Sequence, residues 1–187
     1  MRNSLEAELV RQCAPTLAGL KAASLFRFVF PFDVNPGCQV EALSSILRAK
    51  NLDIELIQYD LVKHSGLLFV HRPQALETIL ADNRNRDFFR RQDYSGSTWQ
   101  DILAEISFRL AQRDSFPHEI GVLLGYPLED VEAYMAAPGE KGLCSGCWKA
   151  YTNPARARHF FEKCQKCTRI YCQCHAAGTS LMQLAVA

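Results

Sequence analysis

Six of the eight cysteines lie within 31 residues and form the clearest chemical pattern in the sequence. Two C-x2-C pairs, sixteen residues apart, come first: Cys144 with Cys147, and Cys164 with Cys167. Thiolates at such spacing hold zinc in tetrahedral sites. We therefore predict a zinc site on these four residues, with zinc favoured over an iron–sulfur cluster because the first pair is compact. Three spare ligands follow: Cys172, Cys174 and His175.

The same tail also fits a buried helix. Pro154 suits a helix start, and apolar residues then recur every three or four positions through Cys174. On such a helix the cysteines act as small core residues. Cys164 and Cys167 would still share one face, and glycine makes the first pair, Cys144-Ser-Gly-Cys147, the better metal-binding turn. The pattern leaves both interpretations open.

A second candidate site combines Cys13, His118 and Glu119. We expect one helix to end before Cys13 and another to open at Pro15, which would place the thiol at a helix N-terminus and stabilise its thiolate. His118 and Glu119 are expected to begin a helix, whose dipole keeps the imidazole neutral and able to act as a base. Cys13 would then be a nucleophile, Glu119 would orient His118, and Lys21 would bind an anion. In the alternative interpretation both residues are structural: Cys13 is a buried core residue, His118 is a polar side chain, and neither takes part in catalysis.

The two parts of the chain carry net charges of opposite sign. Residues 141–187 hold seven basic residues and one acidic one, a net charge of +6, whereas residues 1–140 carry −5. A basic, cysteine-rich segment is compatible with an anionic partner, including nucleic acid. A helix-turn-helix pattern around Gly125 adds little to this, since Glu129, Asp130 and Glu132 of its second helix would repel phosphates.

Composition indicates a globular protein of 187 residues, 48% hydrophobic. The charged N-terminus does not look like a signal peptide, and the polar residues after 170 do not suit a membrane span. We therefore expect a cytoplasmic protein that does not enter the membrane, with reduced cysteines.

Hydrophobic periodicity predicts an α+β fold with a small antiparallel or mixed sheet in the N-terminal half and a helical C-terminal half ending in the cysteine-rich tail. A capping box at Asn3 and Glu6 opens a helix over residues 4–12. Strands are expected at 25–30, 53–59 and 67–71, with Gly66 near the last turn. Residues 83–96 are expected to be irregular, and Thr98 to cap an amphipathic helix. We divide the chain into an α+β body, 1–115, and a helical cysteine-rich part, 116–187, packed on it as one unit.

Four sequence stretches resemble an uncharacterised bacterial family, known only as a domain of unknown function. They are Cys-Ala-Pro-Thr-Leu-Ala-Gly-Leu-Lys at 13–21, Phe-Pro-His-Glu-Ile-Gly at 116–121, Leu-Gly-Tyr-Pro at 124–127 and Trp-Lys-Ala-Tyr at 148–151. The resemblance spans nearly the whole chain and implies a single full-length unit in a bacterial cytoplasm. It draws attention to Tyr126, Trp148 and Lys149 besides the candidates above, and it supplies no activity.

The residues therefore favour a binding or regulatory protein with a cysteine-ligated metal site. The alternative is a small thiol enzyme that uses Cys13 and His118 in acyl or thiol transfer, and nucleic-acid binding comes third.

Overall fold

The computed structural model describes residues 4–112 and 115–187. The elements run in the order α1 (Leu5–Leu17), β1 (Ala23–Val29), α2 (Pro36–Leu47), a 3-10 turn (Arg48–Lys50), β2 (Asp53–Asp60), β3 (Ser65–His71), α3 (Pro73–Ala81), α4 (Asn83–Arg91), α5 (Trp99–Gln112), α6 (Ile120–Leu123), α7 (Leu128–Ala136), β4 (Cys144–Ser145), β5 (Lys149–Ala150), α8 (Pro154–Ala176) and α9 (Leu181–Leu184). The predicted α+β class is confirmed. No helix within the described ranges has the length and apolarity to cross a membrane.

Helix α1 is longer than its sequence pattern predicts. The expected cap Asn3 lies outside the described residues, and Ser4 caps the helix instead by accepting a hydrogen bond from Ala7 N at 3.1 Å. The predicted end at residue 12 is wrong, because α1 continues to Leu17 with Pro15 inside its last turn. A stripe of buried apolar side chains runs past the proline, and its burial outweighs the lost backbone donor.

Three strands form an antiparallel sheet in the order β1-β3-β2. Phe69 of β3 pairs with Leu25 of β1 and Glu55 of β2. β3 is buried along its whole length, as expected for a central strand. The turn before it ends at His64, whose φ is +48°, and Gly66 follows inside β3, where a Cβ atom would overlap neighbouring side chains.

The described part of the chain forms two compact units. One, here called the sheet unit, comprises the described residues up to 76 together with 167–187; the other, the hairpin unit, comprises 77–166. α8 therefore contributes its first part to the hairpin unit and its last part to the sheet unit. The core of the sheet unit consists of apolar side chains from α1, the three strands, α2 and α9.

Arg72 joins two distant segments of the sheet unit by hydrogen bonds. Its guanidinium donates hydrogen bonds to the carbonyls of Thr16 at 2.8 Å and Leu17 at 2.9 Å, at the end of α1, and to Val186 O at 2.7 Å. The residue is only 8% exposed, and this burial lowers the pKa of the guanidinium. One buried cation therefore binds two segments more than a hundred residues apart in sequence.

The hairpin unit contains a helix where irregular structure was predicted. Residues 83–91 form α4, because Asp82 caps it by accepting from Arg84 N at 2.9 Å and because Phe88 and Phe89 bury one face. The predicted amphipathic helix after Thr98 is confirmed as α5, with the expected apolar stripe buried. Thr98 Oγ1 accepts from Asp101 N at 3.2 Å, as a cap should.

Two acidic residues of α7, Glu129 and Glu132, are partners of α4 within the hairpin unit. Arg84 donates to Glu129 at 3.0 Å, and Arg91 donates to Glu132 at 2.8 Å. Gly125, with φ +79°, separates α6 from α7. The helix-turn-helix pattern in the sequence thus corresponds to a helix pair whose acids neutralise neighbouring arginines.

Candidate functional site

The first C-x2-C pair lies on a short hairpin. β4 and β5 pair antiparallel, Cys144 opposite Ala150, and the intervening turn carries Cys147. A Cβ atom on Gly146 would overlap the ring of Phe161, so this α8 side chain packs directly against the turn. Only glycine fits at position 146, because the Phe161 ring lies too close for a Cβ atom.

Aromatic side chains surround the thiols of the hairpin unit. Trp148 lies 4.6 Å from Phe161 and 5.2 Å from Tyr126, measured between ring centroids. Burial, and then the nearby sulfurs of Cys147 and Cys164, raise the pKa of the Tyr126 hydroxyl. Cys164 itself is 3% exposed. These two thiols therefore flank one tyrosine in an apolar setting.

The other predicted ligands belong to the sheet unit, in the last part of α8: Cys167, Cys172, Cys174 and His175. Across residues 4–112 and 115–187, no group of three or more His, Cys, Asp or Glu side chains is arranged to hold a metal ion. No disulfide joins the eight cysteines. The predicted helix from Pro154 is observed, so the second C-x2-C pair lies on helical turns and not in a hairpin.

Asp130 of α7 organises the hairpin. The residue is 3% exposed, and Oδ2 accepts a hydrogen bond from Trp148 Nε1 at 2.8 Å. Oδ1 accepts from Tyr151 N at 2.8 Å and from both the backbone N and Oγ1 of Thr152 at 2.9 and 3.0 Å. One carboxylate thus fixes the tryptophan ring and the chain leading into α8, and four donors satisfy it.

A pocket of about 360 Å³ opens beside Trp148 within the hairpin unit. This volume lies in the range of small-molecule sites, roughly 300–1,000 Å³. Trp148 and Phe160, 5.5 Å apart, contribute aromatic surface. The first turns of α7 and α8 also border the pocket, through Pro127 and Asn153.

Three basic side chains of α8 line this pocket: Arg156, His159 and Lys163. Their spacing of three and four residues places them on one helix face. All three are exposed, and none makes an ion pair within the described part of the chain. Glu129 and Asp130 also line the pocket, but Glu129 is bound by Arg84 and Asp130 by the donors described above.

Cys13 is not at a helix N-terminus, contrary to expectation. It lies inside α1 and is fully buried. Burial raises its pKa to about 12, although Lys21 and Ser24 act in the opposite direction. A pKa raised in the folded state stabilises the fold below the pKa of the unfolded thiol, about 8.5, and that contribution is lost as the pH rises further. The thiol is therefore kept neutral.

Cys13 and His118 belong to different units, the sheet unit and the hairpin unit respectively. The half-buried His118 ring contacts Phe116 at 5.2 Å and Tyr134 at 4.8 Å between centroids. α6 begins after Glu119, at Ile120, so the predicted helix start is shifted by two residues.

Glu119 forms an internal ion pair. Oε1 accepts hydrogen bonds from the Tyr94 hydroxyl at 2.9 Å and from Arg109 at 3.1 Å, and the residue is 7% exposed. Arg109 also lies 4.0 Å from the centroid of the Tyr94 ring. Within the described ranges Glu119 makes no hydrogen bond to His118, and its carboxylate is bound by Tyr94 and Arg109.

We expect Cys13 to resist alkylation in the native protein. At pH 8 iodoacetamide should modify exposed Cys38 at the rate of an ordinary thiol, and Cys13 at least about a hundredfold more slowly, because its thiol is buried and its pKa is raised. Peptide mass spectrometry over time measures both rates, with urea-unfolded protein as the control. Equal native rates would contradict the burial of Cys13.

The chain matches a known family model. Residues 9–185 match the model of the family described as protein of unknown function DUF3793. The chain belongs to the DUF3793 family. No curated protein and no solved structure matches it. The predicted resemblance to an uncharacterised family is confirmed over nearly the whole chain, and membership in DUF3793 brings no activity with it.

Sequence reasoning missed two parts of this site. Asp130 was interpreted only as a charge that repels phosphates, and nothing in the sequence marks a carboxylate that four donors will bind. The basic side chains of α8 do carry a signal in the sequence. Arg156, His159 and Lys163 recur at helical spacing beside Phe160, although only Arg156 and Lys163 add to the net charge of this segment.

Proposed function

We propose that this DUF3793 protein is a binding or regulatory protein whose ligand occupies the pocket beside Trp148. The observation that carries the proposal is an aromatic and basic pocket of about 360 Å³ built within one compact unit. Pockets that combine apolar walls with a few polar groups are the usual small-ligand sites. Asp130 holds the Trp148 ring in place before any ligand arrives, which lowers the entropy that binding costs.

The thiol-enzyme alternative has less support. A nucleophilic cysteine needs access and a lowered pKa, whereas Cys13 is fully buried and its pKa is raised. Glu119, its proposed helper, is bound to Tyr94 and Arg109.

Protein-observed NMR with a set of small aromatic compounds tests the pocket. We expect bound compounds to shift the Trp148 indole N–H and the Thr152 amide, which both donate to Asp130. Phe160→Ala should weaken binding roughly fivefold or more, because it removes an aromatic wall.

The matched control for this experiment is Ile170→Ala, on the same helix but in the sheet unit and 43% exposed. It should leave both the shifts and the affinity unchanged. Compounds that move no resonance of the hairpin unit, or that bind Phe160→Ala as well as the wild type, would refute the proposed site.

Zinc binding by the cysteines is a second proposal. The observation in its favour is that Cys144 and Cys147 sit on a glycine-containing hairpin while Cys164 lies beside the same Tyr126 as Cys147. As placed, the described side chains do not form a group of three ligands. Zinc binding would therefore require the hairpin and α8 to rearrange, and an iron–sulfur cluster would require the same.

Metal content separates these cases. If zinc is bound, elemental analysis of protein purified without a metal-affinity tag should find about one zinc per chain, and Cys147→Ser should lose it because thiolates are the ligands. Cys38→Ser, a substitution of an exposed thiol, should keep it. Metal-free protein that is folded by circular dichroism would reject a structural zinc site.

A further inference from the structure

We infer that the pocket takes a nucleoside monophosphate or a closely similar small aromatic phosphate. The inference rests on the proposed function and adds the chemical class of the ligand. It follows from the side chains that line the pocket and from their neighbours.

The basic side chains of α8 supply the phosphate-binding half of the pocket. Arg156 and Lys163 are exposed cations on the pocket side of α8, and His159 lies between them. None of the three is engaged in an ion pair by the residues that the structure describes. Guanidinium and ammonium groups that form no ion pair with a carboxylate are suited to a phosphate, which arginine can bind through two parallel hydrogen bonds.

The aromatic wall supplies the other half. Trp148 is fixed by its bond to Asp130 and by contacts with Tyr126 and Phe161. Phe160 lies on the face of α8 between the basic side chains. A nucleobase can stack on such rings without base-specific hydrogen bonds, and each stacking contact is worth roughly 1–3 kcal/mol.

Two carboxylates in the pocket do not oppose this assignment. Asp130 is buried and accepts four hydrogen bonds. Glu129 is bound by Arg84 from α4. The charge of Glu129 is therefore paired with a cation, and the oxygens of Asp130 are occupied by four neutral donors. The N-terminal turns of α7 and α8, which border the pocket, add positive potential.

Calorimetric titration of the full chain tests the inference. The probes are the four common nucleoside 5′-monophosphates, the matching nucleosides and inorganic phosphate. At least one monophosphate should bind tenfold or more tightly than its nucleoside and than phosphate alone. The double variant Arg156→Ala with Lys163→Ala should lose this preference.

The control double variant is Arg158→Ala with Lys166→Ala. It removes two basic residues from the same helix and the same unit, but neither lines the pocket. It should bind monophosphates like the wild type, and thermal unfolding checks that both variants fold.

Four results would overturn the inference. They are equal affinity for nucleoside and monophosphate, equal affinity for inorganic phosphate, equal losses in the two double variants, and no binding of any monophosphate at millimolar concentration. In each case the NMR shifts with neutral aromatic compounds decide separately whether the pocket binds ligands at all, so the proposed function and the ligand class fail independently.

Discussion

Replacing Asp130 by alanine should destabilise the hairpin unit by about 3–5 kcal/mol, since four donors lose their acceptor and each buried donor left unsatisfied costs roughly 1–3 kcal/mol. The substitution leaves the Trp148 indole N–H and the backbone N–H groups of Tyr151 and Thr152 without their acceptor. Urea denaturation followed by tryptophan fluorescence measures the loss. The pocket should disappear with it, because Asp130 fixes the Trp148 ring.

The neighbouring Glu129 provides the matched control. It also lies in the first turn of α7 and lines the pocket, but its side chain is 53% exposed and its ion pair with Arg84 is at the surface. Glu129→Ala should therefore cost less than about 1 kcal/mol. Similar losses in the two variants would contradict the organising role of Asp130.

Replacing Glu119 by alanine should cost about 2–3 kcal/mol, below the range for fully buried pairs because Arg109 keeps some solvent access. The change removes the acceptor of the buried Tyr94 hydroxyl and one of two carboxylates that bind Arg109. Thermal and urea unfolding of the variant measure the effect. The loss should be one of stability, without any change in thiol reactivity.

Glu105, which also binds Arg109, provides the matched control for Glu119→Ala. It binds Arg109 at 2.9 Å, compared with 3.1 Å for Glu119, but its side chain is 37% exposed while that of Glu119 is 9% exposed. Glu105→Ala should cost less than about 1 kcal/mol because solvent screens the pair. If the two variants were equally destabilised, burial would not be the decisive difference.

Much of the fold follows from local patterns. The three strands alternate or run apolar, and the apolar stripe after Thr98 has helical spacing, so both could be predicted. Misses occurred where tertiary packing overrides a local signal. Pro15 was expected to open a helix, but burial of α1 carries the helix through it. Residues 83–91 contain four arginines, and the Asp82 cap together with the packed Phe88 and Phe89 makes them helical.

The site was less predictable than the fold. The cysteine spacing located the hairpin correctly as a tight turn, because Gly146 allows it. It could not show that Phe161 and Trp148 fill the space around the thiols, since these contacts join residues from separate elements. The partners of Glu119, Tyr94 and Arg109, are likewise distant in sequence and carry no motif.

The discontinuous sheet unit has a consequence for the order of folding. Its residues 167–187 leave the ribosome only after the whole of residues 77–166. Yet Leu181 and Leu184 complete its core, and the carbonyl of Val186 accepts a hydrogen bond from Arg72. Long-range contacts of this kind form late and slow folding, because the intervening chain must first be brought together. The strands made first therefore keep apolar surface exposed until residues 181–186 have been made, whereas all residues of the hairpin unit are available earlier.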